Sequence, residues 1–165
     1  MPPKKSEESK LEKLKKEYKK IQEKYSLPSF EELNEDFGIE KTYETETDLL
    51  IREIRKIVSE KPYNYLRFVE TLINPVNAPM SILSIAKTIG LDEKNKLAEV
   101  YKKLVKQEVA LISTDIDFSE EREAEFIKNT YALWRGIKKE FSDVLKTMEK
   151  NWETKTEGNG RRYFG

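Results

Sequence analysis

The sequence of 165 residues contains no histidine and no cysteine. Histidine is the commonest metal ligand and titrates near neutral pH, whereas cysteine supplies a thiolate nucleophile and a soft-metal ligand. Their absence excludes Ser-His-Asp and Cys-His catalysis, haem and iron–sulfur ligation by side chains, zinc sites built on these residues, and disulfides. We therefore predict no cofactor, no metal and no catalytic residue of these classes.

The sequence also has few glycines and prolines, no long apolar run and no net charge. It has only 6 glycines and 6 prolines, no run of the roughly 18 apolar residues that a membrane span needs, and no apolar segment after its basic start that would predict a signal peptide. Its 31 basic and 31 acidic residues cancel, so no overall field favours nucleic acid or an anionic membrane. We expect a cytoplasmic protein without membrane contact, built from amphipathic helices.

The first predicted helix covers residues 9–26, after a polar leader at 1–8, with Ser9 and Glu12 as a possible capping box. Its apolar residues recur at spacings of 3, 4, 3 and 4, and these are Leu11, Leu14, Tyr18, Ile21 and Tyr25. The stripe is too narrow for a central core helix and, at two heptads, marginal for a free coiled coil. We favour docking on the body of the protein, with binding to another chain as the alternative.

The body is predicted over residues 27–153. Ser29 caps a short helix with Glu32 in the capping-box position, and Gly38 ends it before an acidic linker at 39–46. The core is expected mainly from helices at 48–73, 92–113 and 118–152, with Pro62 marking a kink or a helix boundary. Residues 113–117 are interpreted as a turn. In the helix at 92–113, the residues expected inward are Leu97, Val100, Tyr101, Leu104, Val105, Leu111 and Ile112.

Two segments leave alternatives open. The apolar helix expected at 80–89 is interpreted as buried on most sides, or else as an exposed lid or partner groove containing Met80. The acids between Asp115 and Glu125 could hold a hard cation, but they lack EF-hand spacing and suit the start of a helix, which we favour.

The C-terminal tail, residues 154–165, contains a glycine break and carries Arg161, Arg162, Tyr163 and Phe164. Arginine pairs with carboxylate or phosphate, and tyrosine and phenylalanine fill pockets. The tail is predicted to be a flexible docking peptide or, equally, an inert or back-docked terminus. It could also stack on single-stranded RNA.

Three stretches carry a resemblance: residues 27–33 (Leu-Pro-Ser-Phe-Glu-Glu-Leu), residues 65–75 running on to Met80, and the closing Tyr-Phe-Gly. Over about residues 25–165 the sequence resembles a family of small helical proteins of archaea. The resemblance implies a helical, cytoplasmic, archaeal protein. It implies no activity, ligand or site residue.

Together these patterns predict an all-α protein: an irregular bundle of five or six helices with an amphipathic N-terminal helix and a flexible tail. The expected function is that of a non-enzymatic adaptor or assembly protein that binds a protein partner through the tail, the N-terminal stripe, or both. The alternative is an RNA- or ribosome-associated protein that uses the lysines between Lys10 and Lys24 with the tail. A small enzyme based on carboxylates or tyrosines is the third possibility.

Overall fold

The computed structural model describes the backbone of residues 5–45 and 47–160 and the side chains of residues 10–45 and 47–155. Within these residues the protein is all-α and has no strand, as the sequence predicts. Six α-helices and one 3-10 helix occur in order: α1 (Lys5–Tyr25), α2 (Phe30–Phe37), the 3-10 helix (Ile39–Glu44), α3 (Leu50–Ile73), α4 (Met80–Ala86), α5 (Leu91–Ile116) and α6 (Glu120–Gly160). None of these helices is both long and apolar enough to cross a membrane.

Several helix ends reflect the local chemistry of the sequence. Ser29 caps α2 as predicted: its hydroxyl accepts from the Glu32 amide at 3.2 Å, and the Glu32 carboxylate accepts from the Ser29 amide at 2.9 Å. Gly38 ends α2 at φ +69°, in the left-handed region that glycine enters without a steric penalty. Pro62 lies inside the continuous helix α3, so α3 is one helix and not two.

Other boundaries differ from the sequence prediction. Helix α1 begins at Lys5, so Ser9 lies inside it and is not its cap. Helix α6 continues to Gly160 instead of ending near residue 152. The residues added to α1, from Lys5 to Glu8, are mostly good helix formers, so extension of an existing helix is easy there. Residues 153–160 include two threonines, an asparagine and two glycines, so helix propensity does not explain the extension of α6.

The chain divides into two compact units, and helices α3, α5 and α6 each contribute a segment to both. Unit 1 contains residues 1–63 and 107–132. In it, α1 packs against α2 and the 3-10 helix. Its buried apolar side chains are Leu14, Tyr18, Leu27, Phe30, Leu33, Phe37, Ile39, Ile51, Ile54, Val58, Ala124, Phe126 and Ile127.

Unit 2 contains residues 64–106 and 133–165. An aromatic cluster lies in its core, where the Tyr65 ring stacks on Trp134 at 5.3 Å and meets Phe141 edge-on at 5.4 Å. The segment at 80–89 is not buried on most sides, because only Ala86 and Ile89 are buried and Met80 is 76% exposed. Ile82, Leu83 and Ile85 are half-buried, so the segment lies at the surface of the unit and not at its centre.

Candidate functional site

The most exposed apolar surface of unit 1 lies on the last turns of α5. Val109, Ile112 and Ile116 are 62%, 54% and 81% exposed. Their spacing of 3 and 4 residues places them on one face of the helix, and we call these three residues the α5 stripe. The sequence analysis placed Ile112 inward, and that prediction is wrong.

The stripe borders an open hollow of about 490 Å³. Besides the stripe, the hollow is lined by Ser113, Asp117 and Arg122. A second hollow of about 210 Å³ shares Ser113 and Arg122 and extends between α5 and the first turns of α6, where Glu125 and Phe126 line it. We call the two hollows together the groove; the stripe lines the larger hollow, and Ser113 and Arg122 line both.

Arg122 fixes the end of α5 beside this groove. Its guanidinium Nη2 pairs with the Asp117 carboxylate at 3.0 Å. Its Nη1 lies 3.5 Å from the backbone oxygens of Ser113 and Asp117, at the limit of hydrogen-bond distance. A cation at this position complements the negative end of the helix dipole and the last carbonyl groups of the helix.

A buried charge cluster ties the same corner to α3. Arg55, whose side chain is 5% exposed, pairs with Glu123 and with Asp115 at 2.6 Å each. Glu123 is fully buried, and its second oxygen Oε1 has no hydrogen-bond partner among the described residues. Because Asp115 belongs to α5 and Glu123 to α6, the Arg55 guanidinium joins three helices of unit 1 and holds the α5 stripe in one orientation.

The sequence around the stripe is rich in acidic residues. Residues 108–125 contain seven acids and one arginine, for a net charge of −6. Asp117, Glu121 and Glu125 are exposed among them. Asp115 and Glu123 pair with Arg55 of α3, and other acids of this region pair with other cations, so much of this negative charge is balanced.

These acids do not form a metal centre. The part of the chain that the structure describes has no group of three side chains suited to hold a metal ion. The acids pair with cations instead: Asp117 with Arg122, Glu125 with Lys128 at 3.0 Å, and Glu120 with Lys24 at 3.2 Å. The acids near the start of α6 thus serve the helix end and its ion pairs.

The predicted partner-binding stripe of α1 lies partly inside unit 1. Leu14 and Tyr18 are buried, at 5% and 1% exposure. Leu11, Ile21 and Tyr25 are half-buried. A partner-binding role for the whole stripe stays a prediction, but only its half-buried members reach the surface in this conformation.

The two tyrosines of α1 fix its docking. The Tyr18 hydroxyl donates to the Pro28 carbonyl at 2.6 Å, and its ring meets Phe30 edge-on at 5.5 Å. Burial raises the pKa of Tyr18 far above its usual value. The Tyr25 hydroxyl donates to the Glu120 carboxylate. This bond raises the pKa of Tyr25 and, with a further bond from Lys24, lowers the pKa of Glu120.

The other predicted partner-binding residues, Arg161, Arg162, Tyr163 and Phe164, lie outside the described residues. The sequence analysis missed the α5 stripe because it interpreted residues 113–117 as a turn, which separated Ile116 from Ile112. One signal was present: Val109, Ile112 and Ile116 have the spacing of 3 and 4 residues that places side chains on one helix face.

Comparisons with protein families, with curated proteins and with solved structures gave no match for this chain.

Proposed function

We propose that this chain is a non-enzymatic protein-interaction protein of the cytoplasm, of the adaptor or assembly kind, and that the α5 stripe is its contact surface. The observation that carries the proposal is the exposure of Val109, Ile112 and Ile116 on one helix face. Single exposed apolar residues are ordinary in proteins, but a row of large ones along a helix is typical of a binding surface.

Burial of the stripe would supply the binding energy. Complete burial of one such side chain contributes about 1.5–3 kcal/mol. Three of them, partly exposed at the start, suit a small and reversible contact more than a permanent one. The regular 3–4 spacing is also the ridge that an amphipathic partner helix accommodates in its groove.

The charge cluster favours the same interpretation. The Arg55 ion pairs hold α5 and α6 together before the partner arrives. A surface that is ordered in advance loses less conformational entropy on binding.

Site-specific photocrosslinking tests the proposal. A photoreactive amino acid replaces Ile112 in the full chain, and the protein is irradiated in extract from its own cells. The matched control carries the same group at Val76, which is 79% exposed and lies outside the stripe. We expect a discrete protein adduct from position 112 that is absent from position 76 and lost when Ile116→Glu is added. Equal labelling at both positions would contradict the proposal.

The RNA-binding alternative has one observation in its favour. Lys10, Lys16, Lys19 and Lys20 are exposed on α1 and have no ion-pair partner among the described residues. Contacts of this kind to phosphates weaken steeply as salt increases, whereas an apolar stripe is far less sensitive. A labelled single-stranded RNA, titrated at low and at physiological salt, would show a steep salt dependence and a loss on Lys16→Glu with Lys20→Glu if RNA is the ligand.

A further inference from the structure

We propose that residues 73–80, which we call the α3–α4 loop, insert into the headgroup layer of a membrane that contains anionic lipids. The loop lies in unit 2, so the inference does not depend on the α5 stripe or on the proposed function. Three features of the described residues support it: exposed apolar side chains without a charge among them, a backbone with few free donors, and exposed lysines that follow the loop.

The loop presents large apolar side chains and no charged one. Val76 and Met80 are 79% and 76% exposed, and Ile73 is 43% exposed. From Thr71 to Ala86 the chain has 16 residues without a charge, although 38% of the whole sequence is charged. A charged group makes transfer out of water expensive, whereas transfer of apolar surface is favourable. The composition of this surface therefore suits an apolar medium.

The backbone of the loop also suits insertion. The Ala78 amide donates to the Pro75 carbonyl at 3.1 Å, which closes a tight turn with Val76 at its second position. The Asn74 amide is bonded to the last turn of α3 at 2.9 Å. Pro75 and Pro79 have no N–H. Because a lipid medium offers no partner to a free N–H, these features lower the cost of leaving water.

The zero net charge of the chain is the sum of two opposite values. Unit 1 has 16 basic and 22 acidic residues, and unit 2 has 15 and 9, so their net charges are −6 and +6. In unit 2, Lys87, Lys94 and Lys96 are exposed and have no ion-pair partner among the described residues. Lysines near an anionic membrane strengthen binding. The sequence analysis expected no membrane contact because the charge of the whole chain conceals this difference.

The composition of the loop favours a lipid surface over a protein partner. Tryptophan, tyrosine and arginine dominate the binding energy of many protein interfaces, and none of them occurs between Thr71 and Ala86. Aliphatic side chains enter the boundary between headgroups and acyl chains without a pocket of matching shape. Three such side chains bury a small area, so we expect reversible binding that also needs the lysines.

Co-sedimentation of the full chain with lipid vesicles tests the inference. One set of vesicles contains phosphatidylcholine alone, and the other contains phosphatidylcholine and phosphatidylglycerol in equal parts. We expect binding to the anionic set. Val76→Ser and Met80→Ser should each weaken it about tenfold, while Phe118→Ser, at a position 42% exposed in unit 1, should leave it unchanged. Circular dichroism establishes that each variant is folded.

The contribution of charge is measured in the same assay. Lys87→Gln and Lys94→Gln should each weaken binding about fivefold, because each lysine near an anionic surface contributes a similar amount. Lys41→Gln is the matched control, since Lys41 is exposed in unit 1. Increasing salt should weaken the binding of the unaltered chain for the same reason.

A fluorescent label distinguishes insertion from adsorption. The chain has no native cysteine, so Asn77→Cys carries a dye whose emission depends on the polarity of its surroundings. Lys41→Cys carries the same dye as the control. With anionic vesicles we expect the emission at position 77 to shift to shorter wavelength and the emission at position 41 to stay unchanged.

Absence of binding to the anionic vesicles would overturn the inference. Binding that neither loop variant weakens, or an unchanged emission at position 77, would overturn it too, since the lysines alone would then hold the protein on the surface. A discrete protein adduct from a photoreactive group at Met80, without vesicle binding, would assign the loop to a protein partner instead. Lipid contact gives no protein adduct at Val76, so that position stays a valid control for the α5 stripe, which the crosslinking at Ile112 tests separately.

Discussion

Unit 1 contains two apolar stripes with the same spacing and opposite environments. On α1, Leu14 and Tyr18 are almost completely buried. On α5, Ile112 and Ile116 are more than half exposed. Helical spacing shows which residues share a face, but it does not show whether that face is covered. The sequence analysis favours docking of the first stripe on the body of the protein, with binding to another chain as the alternative, and it places Ile112 of the second stripe inward. In the structure Leu14 and Tyr18 are buried, and Ile112 is exposed.

The difference comes from the element that lies next along the chain after each stripe. After α1, the chain turns back through Leu27 and Pro28 into α2, and α2 packs on α1. The Pro28 carbonyl, just before α2, accepts a hydrogen bond from the Tyr18 hydroxyl. After the α5 stripe, the chain passes through Asp117 into α6, which Arg55 holds through Glu123. The next helix in the sequence therefore covers the α1 stripe. None of the described residues covers the α5 stripe to the same extent.

The largest loss of unfolding free energy should come from a change in the charge cluster beside the α5 stripe. Arg55→Met leaves Glu123 buried without its cation, and breaking a buried pair in this way costs about 3–5 kcal/mol of unfolding free energy. Chemical denaturation measures it. The double variant Arg55→Met with Glu123→Met should recover most of the loss, since it removes both buried charges. An unchanged unfolding free energy for Arg55→Met would show that the ion pairs do not hold the corner.

Truncation of one residue in each stripe compares the two environments directly. Leu14→Ala should lower the unfolding free energy by about 2–5 kcal/mol, because it leaves a cavity in the core of unit 1. Ile112→Ala should change it by no more than about 0.5 kcal/mol, as for most surface positions. Urea denaturation with a shared slope gives both values. Equal losses at the two positions would mean that the stripes do not differ in burial.

Removal of the hydrogen bond that fixes α1 should cause a smaller loss of stability. Tyr18→Phe keeps the ring against Phe30 and removes the hydroxyl, which leaves the Pro28 carbonyl without its donor. We expect a loss of about 1–3 kcal/mol, less than for removal of the side chain. Thermal unfolding of this variant beside Tyr101→Phe, a half-buried tyrosine whose hydroxyl has no hydrogen bond to the described residues, provides the control. A loss no greater than that of the control would show that this hydrogen bond does not stabilise the protein.

The smallest effect is expected on the pKa of Glu120, which contacts Tyr25 at the end of the α1 stripe. The pKa of Glu120 is lowered, first by the Tyr25 hydroxyl and then by Lys24. A lowered pKa in the folded state gives stability that is present above the pKa of the unfolded chain and is lost as pH falls through the folded value. We expect Tyr25→Phe to raise the pKa of Glu120 toward its ordinary value, as measured by NMR titration of its carboxyl group. No change would show that the bond does not form in solution.

Local chemistry made much of the fold predictable. Ser29, Glu32 and Gly38 act within a few residues of one another, so the capping box and the end of α2 can be predicted from the sequence. Arg55 and Glu123 are 68 residues apart, and no local pattern links them. Ser113, Thr114 and Asp115 favour turns in isolation, whereas here the Asp115 ion pair and the Arg122 contacts extend α5 through Ile116.

The absence of native cysteine allows one direct test of the central claim, that the α5 stripe is exposed while the α1 stripe is buried. Leu14→Cys and Ile112→Cys are made singly and labelled with a thiol reagent in dilute solution, with the rate in urea as the reference. We predict that Ile112→Cys reacts within about threefold of its unfolded rate and that Leu14→Cys is protected by about 100-fold or more. Circular dichroism establishes that both variants are folded. Protection of Ile112→Cys, or rapid labelling of a folded Leu14→Cys, would contradict the account.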